Sequence, residues 1–315
     1  MAMDLDDRVL VMQNGKTPRR FIYTSHGWSA SNWLAFALNL HPDIVCSHSA
    51  RNMLADKKNM NSNANLKAHL AQLHKGYVSR QERSFDAAYA EIEDMGTAVM
   101  YGSVHVYRLR DLPVVFKKFG QPADAYNVLN LVRHPVSLVW SGYGQFKDLF
   151  RYDLNELHWT SGKVLREGGS FLYDLAAEYD LNIGELDNLA FLGACAVLGS
   201  LRLDLNALPH LAEMPGITFH GHTCMEQVTT APAVLATAIQ TLSDDTLVAD
   251  ETYLDAVYEA GVINEHKKDR NKFDASARFD QFFDWQVAAF KFFFSKYNLQ
   301  PAYEALGYNF DFLKN

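Results

Sequence analysis

Short runs that are apolar at nearly every position alternate along this chain with stretches in which apolar residues return every three or four places. Phe21–Thr24, Ile44–Cys46, Thr97–Tyr101, Asn127–Val132 and Ile217–Phe219 are the β-prone runs. Asn127–Val132 is the clearest of them, and its continuous apolarity points to burial on both faces, as in a parallel sheet. Helical spacing follows Phe21–Thr24 through Leu34, Leu38 and His41, with Pro42 closing the helix. Further helices are expected near 65–75 and 84–94, from Pro135 onward, near 185–205, after Pro232 and over 279–297. Residues 51–65 read as a polar loop, 151–170 as irregular, and 264–278 as a polar, basic stretch. Strands alternating with helices predict an α/β fold of three layers, with a central, mainly parallel sheet flanked by helices in the manner of P-loop proteins. One such domain is expected over 20–315, behind a polar lead-in over 1–19.

In sheets of this kind ligands bind beyond the carboxyl ends of the strands. Two segments begin at such ends. The first is Ser25-His26-Gly27-Trp28-Ser29-Ala30-Ser31-Asn32, a turn of mostly small residues between strand and helix. Backbone N–H groups and the helix dipole favour an anion there, and Ser29, Ser31 and Asn32 add side-chain donors. An ordinary strand–helix connection with a Ser or Asn cap has the same composition. The second is Arg133, at the end of the best strand, with Ser141 eight residues later and Ser137 on the same helical face. A guanidinium and a hydroxyl so spaced could grip one phosphate. Read alone, Arg133 fits a structural ion pair equally well. Gly15-Lys16-Thr17 imitates the end of a nucleotide-triphosphate loop but lacks the upstream glycine and precedes a strand, so it is set aside.

Taken together, these pieces resemble the PAPS-dependent sulfotransferase family (PAPS is 3′-phosphoadenosine-5′-phosphosulfate). The family's first loop, of the type K/R-S-G-T-T-W-L, is matched by Trp28-Ser29-Ala30-Ser31-Asn32-Trp33-Leu34. Its strand–Arg–Ser signature is matched by LNLVRHPVSLVWSGY, with Arg133 and Ser141. A looser third feature is the basic stretch Asn264-Glu265-His266-Lys267-Lys268 ahead of Trp285-Gln286. The resemblance implies that the loop from Gly27 to Asn32 holds the 5′-phosphosulfate, that Arg133 and Ser141 hold the 3′-phosphate, and that Lys267 and Lys268 close over it. The family usually carries a cation where Trp28 stands. His26, Lys267 or Lys268 would have to replace it, or the chain binds the nucleotide without transfer. A P-loop kinase of a small metabolite is the other alternative, and would need a loop Lys and a carboxylate for Mg²⁺.

Sulfuryl transfer also needs an acceptor proton removed. His105 is the first candidate base, because it follows Thr97–Tyr101 through Gly102-Ser103 and corresponds to the point where many family members carry a histidine. His48, after Ile44–Cys46, is the second candidate and His26 the third. No metal is expected: His220-Gly221-His222 with Cys224 fits no closed site and reads as a surface turn. Trp140, Tyr143, Phe146, Phe150, Tyr152 and Trp159 read mainly as core, with some free to line an acceptor pocket.

Composition narrows the partners. Hydrophobic residues are 48% of 315, enough for a sizeable core. The formal charge of −8 argues against nucleic acid and anionic membranes, so an anionic ligand requires a local basic site. The acceptor is expected to be a small molecule or carbohydrate. Cys46, Cys195 and Cys224 form no CxxC pair, which suits a reducing cytoplasm. No secretory leader is read at the start. The longest apolar stretch, Leu189–Leu203, is read as broken by Gly193, Gly199 and Arg202, leaving no membrane span.

Overall fold

A computed structural model of the chain describes residues 18–48, 84–93, 98–259 and 274–314. The five β-prone runs become β1 (Arg19–Ser25), β2 (Ile44–His48), β3 (Met100–Val104), β4 (Tyr126–Val132) and β5 (Ile217–Cys224). All pair in parallel, in the order β2-β3-β1-β4-β5. The order reverses at β1: the chain moves outward to β2, returns to β3, and then crosses to β4 on the other side. The loops after β1 and β4 therefore meet at the switch point of the sheet, where α/β proteins form their ligand crevice.

Between the strands lie α1 (Ser31–Leu40), α2 (Phe85–Glu93), α3 (Asp111–Phe119), α4 (Pro135–Leu149), α5 (Leu154–Gly168), α6 (Phe171–Tyr179), α7 (Leu186–Ala196), α8 (Leu198–Asn206) and α9 (Leu208–Leu211). After β5 come α10 (Met225–Val228), α11 (Pro232–Leu242), α12 (Glu251–Glu259), α13 (Ala275–Phe279), α14 (Asp284–Lys296) and α15 (Gln300–Glu304). Alternate strand residues sort into two cores. Phe21, Tyr23, Leu129 and Leu131 join Trp33, Leu38, Ile239 and Tyr253 on one face. Ile22, Val45 and Val128 join Phe85, Tyr89, Leu112 and Val115 on the other. Helices thus cover both faces of a parallel sheet, the expected three-layer α/β fold. A third core lies among the helices and packs α4 and α7 with Phe290, Phe293 and Phe294 of α14.

Four sequence expectations are corrected. The third strand lies at Met100–Val104 rather than Thr97–Tyr101. Gly102 is a strand residue facing Phe21, where a Cβ would come within 2.2 Å of the neighbouring ring. The 151–170 region is mostly α5, started by Asp153, whose carboxylate accepts from Glu156 N at 3.0 Å. Its inward face is only Thr160, Val164 and Gly168, too small a stripe to stand out in the sequence. His220-Gly221-His222 is part of β5, because two β4 asparagines supply its partners. His220 Nε2 lies 2.8 Å from Asn127 Oδ1, and His222 Nδ1 lies 3.0 Å from Asn130 Nδ2. Finally, Gly193, Gly199 and Arg202 break nothing: all sit inside α7 or α8. The run Leu186–Leu211, 26 residues, is long and apolar enough by length and composition to cross a membrane, yet 67% of its apolar window is buried within the protein, as in a core helix. The segments 1–17, 51–65 and 65–75 lie outside the described residues.

Candidate functional site

The loop after β1 turns on two residues with left-handed backbones, Trp28 at φ 67° and Ala30 at φ 54°. Such a conformation costs a non-glycine residue about 1–2 kcal/mol, so the surroundings must hold it. Part of that hold comes from α4. The Trp28 indole packs edge-on against Phe146 at 5.4 Å, and its Nε1 donates to Gln145 Oε1. Gly142 makes room for the ring: a Cβ there would stand 2.7 Å from Trp28 Cζ3. Alanine normally improves a helix over glycine by about 1 kcal/mol. At position 142 overpacking should outweigh that gain, and Gly142→Ala is expected to destabilise the protein by about 1–3 kcal/mol. Thermal or urea unfolding checks the sign.

The Trp28 side chain is thus an anchor, pointed into the helical core, and Ser29 to Asn32 follow it into the start of α1. Ala30 gives α1 no side-chain cap, so the first N–H groups of the helix are left to other acceptors. Ser29 is fully buried, and its Oγ has no hydrogen-bond partner. Gly27 and Asn32 are half-buried at the two ends of this stretch.

Arg133 crosses from the end of β4 to the loop. Its Nη1 donates to the Trp28 carbonyl and to Ser141 Oγ at 2.7 Å, while Nε is buried without a partner. The Arg–Ser spacing therefore brings the two groups together, one guanidinium spanning loop and helix. Ser137, one turn before Ser141, is fully buried with an unpartnered Oγ. His134 caps α4, its Nδ1 accepting from Val136 N at 3.2 Å. Burial draws Arg133 down to about 10, and the nearby Arg278 adds to this while Glu226 opposes it. Arg133 remains charged at neutral pH. Glu226, near both guanidiniums, accepts from His134 N at 3.0 Å and from Tyr308 Oη at 2.8 Å.

His105 and His48 come together. Their rings stack at 5.7 Å between centroids. His105 has φ 62° and is buried, with Nδ1 2.9 Å from the Ser25 carbonyl and 2.7 Å from Ser25 Oγ. A carbonyl only accepts, so Nδ1 carries the proton and the lone pair is on Nε2. His48 Nε2 lies 3.0 Å from Ser31 Oγ, in the first turn of α1. His26 is apart from them. Its Nδ1 donates to the Gly27 carbonyl at 3.3 Å, and Nε2 is buried without a partner. Burial, then Arg108 and Arg110, hold it well below the ordinary imidazole range.

Lys267, Lys268 and the rest of 264–268 lie outside the described residues. Trp285 packs edge-on against Phe191 at 5.3 Å, and Gln286 Oε1 accepts from Phe283 N at 3.0 Å, so both serve the start of α14. Tyr152 and Trp159 are exposed, whereas Phe146 and Phe150 are buried and stacked at 5.2 Å. Among the described residues no group of three or more His, Cys, Asp or Glu could hold a metal ion. The sequence reading missed Arg278, Glu226, Arg108, Arg110 and Lys163. Arg108 and Arg110 follow β3 closely enough for the strand-end rule to have flagged them. Lys163 and Arg278 lie on helices remote in sequence and left no local signal.

No family model matches the chain, and no curated protein matches it. Among solved structures, the crystal structure of a sulfotransferase from Alicyclobacillus acidocaldarius is similar, with a TM-score of 0.38 and 14% identity, covering 88% of this chain and 95% of that one. At that identity and superposition the likeness carries no function across.

Proposed function

We propose that the chain is a sulfotransferase that moves a sulfuryl group from PAPS to a hydroxyl or amine acceptor. The observation that carries this reading is the Arg133–Ser141 contact at 2.7 Å, placed at the switch point of the sheet and joined to the loop through the Trp28 carbonyl. The residues fit a nucleotide with two separate anionic groups. At one end are the uncapped start of α1 and the unpartnered Ser29 Oγ; at the other are Arg133, Ser141 and the unpartnered Ser137 Oγ. Each orphaned group gains a partner when an anion arrives.

The loop and the start of α1 would hold the 5′-phosphosulfate, and Arg133 with Ser141 the 3′-phosphate. PAPS, when bound, supplies the sulfuryl group and a bisphosphate leaving group. Ser25 orients His105 through Nδ1, and His105 Nε2 takes the acceptor proton. The parallel with hydrolase triads is one of logic, a base fixed in one tautomer by a group behind it.

Trp28 favours a second reading, nucleotide binding without transfer, because its side chain is committed to α4 and offers no cation to the leaving oxygen. Calorimetry separates the sulfotransferase lineage from the kinase alternative. Adenosine 3′,5′-bisphosphate should bind about 10–100-fold more tightly than ATP, the worth of a charge-assisted grip on the 3′-phosphate. Equal affinity overturns the reading. Turnover of PAPS with a panel of acceptors then separates transfer from binding alone.

A further inference from the structure

One ring touches both the start of α1 and the candidate base. His48 is the last residue of β2, and its register partner is Val104, the residue before His105. Its Nε2 lies 3.0 Å from Ser31 Oγ, and its ring stacks on His105 at 5.7 Å with 26° between the planes. Side chains alternate along a strand, so His48 shares the face of Cys46, which packs in the same core as Leu34, Ala35 and Leu38 of α1. The buried Asn39 of α1 fastens β2 at this edge of the described sheet. Its Nδ2 donates to the Cys46 carbonyl at 2.7 Å, and its Oδ1 accepts from Cys46 N at 2.9 Å. Helix and strand are thus tied near both ends of α1, by Asn39 at one and by Ser31 at the other. Ser31 is itself buried and is the first residue of the helix.

A serine hydroxyl has one proton and two lone pairs, so the bond between Ser31 and His48 has two possible directions. If Ser31 donates to Nε2, its proton is spent and its lone pairs are what it offers at the start of α1. If Nε2–H donates to Oγ, the Ser31 proton is left for a ligand. Ala30 supplies no side-chain cap at this end of the helix, and the neighbouring Ser29 Oγ is buried without a partner. These donors, with the positive end of the helix dipole, suit an anion, and a Ser31 hydroxyl turned the other way would oppose it. We propose that His48 is a positioning residue of this anion site: its Nε2–H donates to Ser31 Oγ and so aims the Ser31 proton at the 5′-phosphosulfate. The His105 ring stacked against His48 helps to hold the imidazole plane in line with Ser31. The identity of the anion rests on the sulfotransferase reading; the direction of the bond rests only on the site taking an anion.

The test uses the full chain with its histidines labelled with nitrogen-15 for NMR, the His48 signals being assigned by their loss in His48→Gln. With adenosine 3′,5′-bisphosphate bound, Nε2 of His48 should carry a proton; a bare Nε2 overturns the inference. Calorimetry with the bisphosphate gives a second readout. His48→Phe keeps an aromatic ring against His105 and removes the donor, so it should weaken binding about tenfold. His48→Gln returns an amide donor close to where Nε2 stood and should recover most of the loss. Ser31→Ala should also cost about tenfold, and His48→Phe with Ser31→Ala together should bind no more weakly than Ser31→Ala alone, because His48 acts through Ser31. Affinity unchanged in His48→Phe, or two losses that add in full as separate packing defects would, overturns the inference. If His48→Phe does not fold, the Nε2 signal of the parent protein still decides. Failure of the parent to bind the bisphosphate sinks the sulfotransferase reading instead. Inorganic sulfate titrated into the same labelled protein then decides the positioning role: a saturable response with the proton on Nε2 supports it, and no response or a bare Nε2 overturns it.

Discussion

His105→Ala should lower turnover by about 10²–10⁴-fold, the usual worth of general-base catalysis, while hardly changing affinity for adenosine 3′,5′-bisphosphate. The Ser25 carbonyl, 2.9 Å from Nδ1, fixes the proton on that nitrogen and leaves the lone pair on Nε2. Ser25 is the last residue of β1 and His26 the first of the loop, so the base is tied to the backbone that leads into the anion-binding turn. The left-handed φ of 62° is a cost the mutation does not relieve, since alanine carries it too. Loss of folding is therefore a poor explanation for a slow variant, and His105→Asn sharpens the point. It keeps a donor for the Ser25 carbonyl and lacks a basic nitrogen, so it should be as slow as alanine. His48→Ala and His26→Ala, made alongside, discriminate further. His48 stacks on His105 and meets Ser31 Oγ at 3.0 Å, so its loss should loosen the first turn of α1 and affect nucleotide affinity and turnover together. Near-normal turnover in His105→Ala with loss in one of the others moves the base there. Full activity in all three excludes a histidine base.

The parts of this architecture legible in the sequence were those with a local cause. Asn127–Val132 read as a buried parallel strand because nearly every position is apolar, and β4 is buried at nearly every position. The eight-residue spacing from Arg133 to Ser141 predicted a meeting across two helical turns, and the guanidinium does reach the hydroxyl. What stayed hidden depended on distant partners. Gly102 belongs to a strand because a Phe21 ring crosses it, and β5 runs through His220-Gly221-His222 because Asn127 and Asn130 wait opposite. Trp28 looked like a missing catalytic cation; its ring fills the space above Gly142, a pairing across more than a hundred residues that no periodicity displays. Arg108, Arg110 and Lys163 act on His26 from the loop after β3 and from α5, so only the folded chain brings them near it.

Arg133→Ala should weaken adenosine 3′,5′-bisphosphate by roughly 2–5 kcal/mol, about 30- to 5,000-fold, the range for truncating one partner of a buried, hydrogen-bonded charge pair. The upper part of that range is open to it because the guanidinium is poorly satisfied in the free protein. Burial pulls it down to about 10, Arg278 repels it, and Nε has no partner. A phosphate relieves all three at once, so binding recovers a cost that folding had already incurred. The same residue also holds the Trp28 carbonyl, and its loss will weaken the loop's attachment to α4. Folding and binding must therefore be measured together. Glu226 limits the damage, since its two oxygens remain engaged by His134 N and Tyr308 Oη when Arg133 is gone. Arg133→Lys keeps the charge and loses the fork that serves Trp28, Ser141 and a ligand together, so it should recover only part of the affinity. Ser141→Ala should cost less, about 1 kcal/mol, and the double variant should fall short of the sum because the two side chains share one hydrogen bond. Calorimetry with the bisphosphate, beside unfolding curves for each variant, reads every term. An Arg133→Ala protein that folds and binds the bisphosphate as well as the parent assigns the guanidinium to fastening the loop onto α4, and removes the 3′-phosphate site from this corner of the sheet.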